Sequence, residues 1–91
     1  MLILVTPTFA KTVKKLALPQ KKVLDKAVRA ISENPEIGEG KVGDLQGISI
    51  YKFRIHDQVW LLAYRLLSKN KIKLLLVGPH ENFYRNLKKI V

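Results

Sequence analysis

The stretch "GPHENFYRNLKK", residues 78–89, carries the side chains best suited to chemistry. His80 and Tyr84 lie four residues apart, so on a helix they share one face. Arg85, Lys88 and Lys89 follow, setting an imidazole and a phenol beside cations that attract phosphate. The plainer alternative is an amphipathic helix that packs its aromatics into a core. Phe83 and Tyr84 are adjacent and cannot both face inward, and the spacing from His80 selects Tyr84 as the outward ring. The other histidine, His56, stands in "HDQ", which is ordinary turn chemistry between two strands. Imidazole, with a reference pKa of about 6.5, can give or take a proton near neutral pH.

The absence of cysteine excludes a disulfide framework, a thiol nucleophile and a thiolate zinc site, and it fits a cytoplasmic location. A metal would need carboxylates to complete its ligands. The seven Asp and Glu residues do not cluster beside either histidine, so no metal and no other cofactor is expected. Seventeen Lys and Arg leave a net charge of +10 on 91 residues. Such a field attracts polyanions, nucleic acid or an acidic protein, and repels copies of itself. No apolar run approaches the roughly 18 residues that span a bilayer. The N-terminal "MLILVTPTF" is too short and too poor in early basic residues for a signal peptide.

The elements that must position these groups follow from periodicity. Residues 2–6, "LILVT", read as a strand. Thr6 then caps a helix with Pro7 at its first position, and Phe9, Val13 and Leu16 form the apolar stripe. Pro19 opens a second helix with the stripe Val23, Leu24, Ala27, Val28 and Ile31, which Asn34-Pro35 stops. Residues 35–47 hold four glycines and no period, and read as a loop. Three strands come next, 48–55, 59–66 and 71–78, separated by hairpin-length connections. A short helix from about Glu81 ends the chain. The expected fold is α+β in one domain over residues 1–91: a strand, a helical hairpin, a three-stranded antiparallel meander and a C-terminal helix.

A three-residue turn at 56–58 would pair Ile55 with Val59, Arg54 with Trp60 and Lys52 with Leu62. A four-residue loop at 67–70 would pair Trp60 with Val77 and Tyr64 with Lys73. With those registers, Tyr51, Phe53, Ile55, Val59, Leu61, Ala63, Ile72, Leu74 and Leu76 form an apolar face under the helices. The other face carries Lys52, Arg54, Trp60, Tyr64 and Lys73, with Ile48, Ile50, Leu62 and Leu75 among them. Cations beside exposed rings suit single-stranded RNA, whose phosphates they hold and whose bases they stack.

The order of elements and four segments, "TPTFAKTVKKL", "GDLQGISIYKFRI", "WLLAYRL" and "GPHENFYRNL", resemble the RelE/ParE superfamily of bacterial type II toxins. The last segment looks like the ParE-like subgroup and is similar to the "G.H...(F/Y)" ending of YafQ-type ribonucleases. The resemblance implies a toxin neutralised by a cognate antitoxin, here expected to be acidic. It implies one of two activities: cleavage of mRNA at the ribosome, which inhibits translation and growth, or inhibition of DNA gyrase by protein binding without nuclease activity. On the ribonuclease reading, Lys52 and Arg54 hold the scissile phosphate, His80 is the general acid, His56 the general base, and Tyr84 orients or stacks. Trp60, Tyr64, Lys73 and Arg85 would contact the RNA. Trp60 stands where many relatives have Arg and YafQ-type members have Trp.

Overall fold

The computed structural model describes all residues Met1–Val91. The chain runs β1 (Leu2–Val5), α1 (Pro7–Lys15), α2 (Leu18–Glu33), β2 (Glu39–Gly40), β3 (Ser49–Ile55), β4 (Gln58–Ser68), β5 (Lys71–Pro79) and α3 (Phe83–Ile90). Two 3₁₀ turns, Pro35–Ile37 and Gly43–Leu45, flank β2 within the expected loop. The sheet has five strands in the order β1-β5-β4-β3-β2, so β4 is central and β1 joins β5 in parallel.

Local chemistry explains the helix ends. The Phe9 amide donates to Thr6 Oγ1 at 3.0 Å, which satisfies one of the free donors at the start of α1. The same hydroxyl donates to the Leu75 carbonyl at 2.7 Å and so ties the helix to β5. That carbonyl belongs to a bulge: Ala63 pairs with Leu76 but Tyr64 with Leu74, which leaves Leu75 without a partner residue. Asn34 caps the C-terminus of α2 and starts the next 3₁₀ turn by accepting from the Glu36 amide at 3.3 Å.

The register differs from the expected one. His56 takes a left-handed backbone (φ 55°), and the turn between β3 and β4 closes with two residues instead of three. Ile55 therefore pairs with Gln58, Arg54 with Val59, Phe53 with Trp60 and Lys52 with Leu61. The second turn also tightens to two residues, Lys69-Asn70, and Trp60 pairs with Pro79 in place of Val77. Because side chains alternate with period two, a one-residue slip exchanges the faces of a strand. Trp60, Leu62 and Tyr64 move under the helical hairpin, and Val59, Leu61 and Ala63 move to the opposite face.

Two apolar clusters result. One joins Phe9, Leu24 and Ile31 of the hairpin to Ile55, Trp60, Leu62, Tyr64, Ile72, Leu74 and Val77. The other lies across the sheet, where Phe83 and Leu87 of α3 cover Leu61, Ala63, Leu75 and Leu76 together with Leu45, Ile48 and Ile50. The second face is thus closed by α3 over its middle and open at its end. No helix is long and apolar enough to cross a membrane.

Tyr64 also anchors the segment after α2. Its hydroxyl donates to the Pro35 carbonyl at 2.6 Å and accepts from the Gly38 amide at 2.9 Å. A Cβ on Gly38 would lie 2.5 Å from that oxygen, so glycine is needed there for close approach. Burial pushes the Tyr64 phenol above its ordinary 10.0, against the smaller opposing effects of the Gly38 and Ser49 hydrogen bonds. A phenol raised in this way stabilises the fold below pH 10, and that contribution is lost as pH rises through its folded-state value. Tyr64→Phe is expected to lower stability by about 1–3 kcal/mol, since two part-buried backbone groups lose their partner. Its thermal midpoint should also fall less steeply above pH 10 than that of the wild type; equal slopes would remove Tyr64 from the alkaline transition.

Candidate functional site

Five of the groups singled out in the sequence, Lys52, Arg54, His56, His80 and Tyr84, lie toward one end of the sheet. Lys52 and Arg54 are exposed on β3 and face away from the hairpin, since their partners Leu61 and Val59 do. One residue beyond β5, the His80 amide donates to the Val59 carbonyl at 3.0 Å. Arg54, Val59 and His80 thus form one row across three strands. Strand spacing puts the backbones of Arg54 and His80 about 10 Å apart, a gap that their side chains can close around a phosphate. The row exists because pairing of β4 with β5 continues one residue past Pro79 before the chain turns into α3.

Asn82 in a left-handed conformation (φ 61°) turns the chain into α3. Phe83 points into the core and is 2% exposed, whereas Tyr84 is half-buried at the rim. The His80 ring meets Tyr84 edge-on, with centroids 6.2 Å apart and planes at 80°. Phe83 also packs edge-on against Tyr84, at 5.7 Å and 89°. The phenol thus contacts both a core ring and the exposed imidazole. Arg85 is exposed on the following position of the helix.

His56 lies exposed at the tip of the β3–β4 turn, two residues beyond Arg54 at the same end of the sheet. It takes no part in the ring contacts of His80 and Tyr84. Lys73 is on the α3 face but pairs with Arg65, at the far end of the sheet from His80. Trp60 and Tyr64 are corrected outright. They are 5% and 0% exposed beneath the hairpin, so neither ring can stack on a base. The Trp60 indole donates to Gln58 Oε1 at 3.3 Å, a local structural contact.

One residue of the site escaped the sequence reading. Lys41 follows β2 in the glycine-rich segment, and its Nζ stands 5.4 Å from the centre of the Tyr84 ring. The ammonium also pairs with Glu39 Oε2 at 3.3 Å. Burial alone would lower its pKa, but the Glu39 hydrogen bond and the Tyr84 phenol outweigh that and hold it above 10.5. Nothing in "EGKVGD" marks Lys41. It reaches the site because β2 pairs with β3 and its own amide donates to the Ile48 carbonyl at 2.9 Å. No three His, Asp or Glu side chains converge at any point of the chain.

A family model described as the ParE-like toxin of type II bacterial toxin-antitoxin systems matches residues 3–88. The chain belongs to this family. It is a toxin of a type II toxin-antitoxin system. Its fold is RelE-like. A chain in the crystal structure of the intact E. coli RelBE toxin-antitoxin complex superposes with a TM-score of 0.68 at 21% identity, covering 88% of the toxin and 96% of that chain. The isolated E. coli RelE toxin gives a TM-score of 0.66 at 20% identity, with 99% and 98% covered. At that identity the likeness carries the fold alone. No curated protein is similar enough in sequence to count as a relative. The toxin's own side chains must therefore decide between activities.

Proposed function

We propose that this toxin is an mRNA endoribonuclease that acts at the ribosome and thereby inhibits translation and growth. The observation that carries the reading is the row Arg54–Val59–His80, with Tyr84 packed on the imidazole, on the face turned away from the hairpin. An exposed imidazole, a rim phenol and free cations converge where a polyanion is attracted by a +10 chain.

The reaction needs no group beyond the protein and the RNA. His56 takes the proton of a ribose 2′-hydroxyl. The 2′-oxygen forms a bond to the neighbouring phosphorus as the bond to the 5′-oxygen breaks. His80 gives its proton to that leaving oxygen. The products are a 2′,3′-cyclic phosphate and a 5′-hydroxyl. Arg54 and Lys52 hold the charge that builds on the phosphoryl oxygens, where each well-placed donor contributes about 3–4 kcal/mol.

A second reading follows from the family assignment: a ParE-type toxin would bind DNA gyrase and need no proton-transfer groups. Primer extension on cellular mRNA after induction, run beside a gyrase supercoiling assay, separates the two. Cleavage ends that appear with intact supercoiling support the nuclease. Blocked supercoiling with unbroken mRNA would transfer the assignment to gyrase.

A further inference from the structure

Lys41 and Glu39 form the one ion pair in a chain with seventeen Lys and Arg. The two side chains are unequal: Lys41 is 25% exposed and Glu39 76%. The ammonium rests against the Tyr84 ring while its acidic partner stands in solvent. An exposed pair of this kind contributes little, about 0–1 kcal/mol, so a second anion can displace the carboxylate easily. The ammonium keeps its contact with the Tyr84 ring, and strand pairing fixes the backbone that carries it.

We propose that Lys41 is a substrate-binding residue of this site: it takes a phosphate of the bound RNA strand, which displaces Glu39, while its contact with Tyr84 keeps the phenol beside His80. The inference rests on the nuclease reading above and extends it to the β2 segment. Arg54 and Lys52 hold one phosphate on β3, and Lys41 supplies a separate cation against the Tyr84 ring. Glu39 then acts as a built-in competitor that occupies the ammonium when no RNA is bound. Glu39 is largely exposed, so its side chain is free to leave the ammonium for solvent.

The test measures cleavage of a defined message on programmed ribosomes, as half-saturating toxin concentration and maximal rate, across a series of KCl concentrations. Lys41→Gln is expected to raise the half-saturating concentration about tenfold and to reduce its log–log salt slope by about 0.7, the value for one lost single-strand phosphate contact. Lys41→Arg should restore both, and Glu39→Gln should lower the half-saturating concentration several-fold. An unchanged salt slope in Lys41→Gln, with His80→Ala inactive in the same assay, would overturn the inference and leave the nuclease standing. A wild-type toxin that cuts no message would overturn both. Circular dichroism on each variant separates a misfolded protein from a lost contact, and rescue by arginine but not by glutamine would not arise from folding alone.

Discussion

His80→Ala is expected to leave a folded toxin that no longer arrests growth, and on the proposed nuclease function its cleavage of mRNA on the ribosome should fall by about 10²–10⁴-fold, the usual worth of a positioned acid or base. The fold should survive because the structural work at position 80 is done by the backbone: its amide bonds Val59 and its carbonyl accepts from the Phe83 amide at 3.2 Å. The exposed ring contributes only an edge contact to Tyr84. Urea denaturation should therefore place His80→Ala close to the wild type. Arg54→Ala should behave in parallel, with a loss of about 10²–10³-fold from the missing phosphate clamp. Growth arrest by both variants at full strength would remove the site from this end of the sheet. Tyr84→Phe makes a useful companion, because it keeps the edge contact with His80 and removes the hydroxyl alone.

Trp60→Ala should destabilise the protein by about 3–5 kcal/mol, the cost of emptying a large aromatic site in a packed core. A domain of this size has only about 5–15 kcal/mol in hand, so much of the stability would be lost. The reason lies in the register. Trp60 pairs with Phe53 and Pro79 on the hairpin face, is 5% exposed, and packs in the cluster built on Phe9, Leu24 and Ile31. The register expected from the sequence puts the same indole on the open face, where its removal would weaken RNA binding and leave the fold intact. Urea denaturation and cleavage assays on Trp60→Ala and Trp60→Phe distinguish these outcomes. A stable Trp60→Ala protein with poor RNA binding would show that β4 faces the other way.

Most of the architecture was legible because it is local. Thr6-Pro7 and Pro19 carry their helix starts in their own chemistry: a hydroxyl acceptor and a fixed φ. The stripes on α1 and α2 repeat at helical period, and the three long strands are bounded by turn residues. The faces of Lys52, Arg54, Tyr51 and Phe53 on β3 were also legible, since alternation within one strand needs no knowledge of its neighbour. The choice of Tyr84 over Phe83 as the rim residue came from spacing alone, and the helix turns them as expected.

What the sequence left open was everything that depends on where one strand meets the next. His56 adopts a positive φ that the residue name permits but does not announce, and this one backbone choice shortened the turn and inverted β4. Trp60 and Tyr64 changed from presumed RNA platform to core as a result. Lys41 became a neighbour of Tyr84 only because a two-residue strand pairs with the edge of β3, a contact across more than forty positions of chain. Composition and periodicity determined a basic α+β domain with an imidazole and a phenol four residues apart where the C-terminal helix begins. Tertiary structure alone decided which cations stand beside them, because register is set by turn geometry and packing, and neither is written in the identity of single residues.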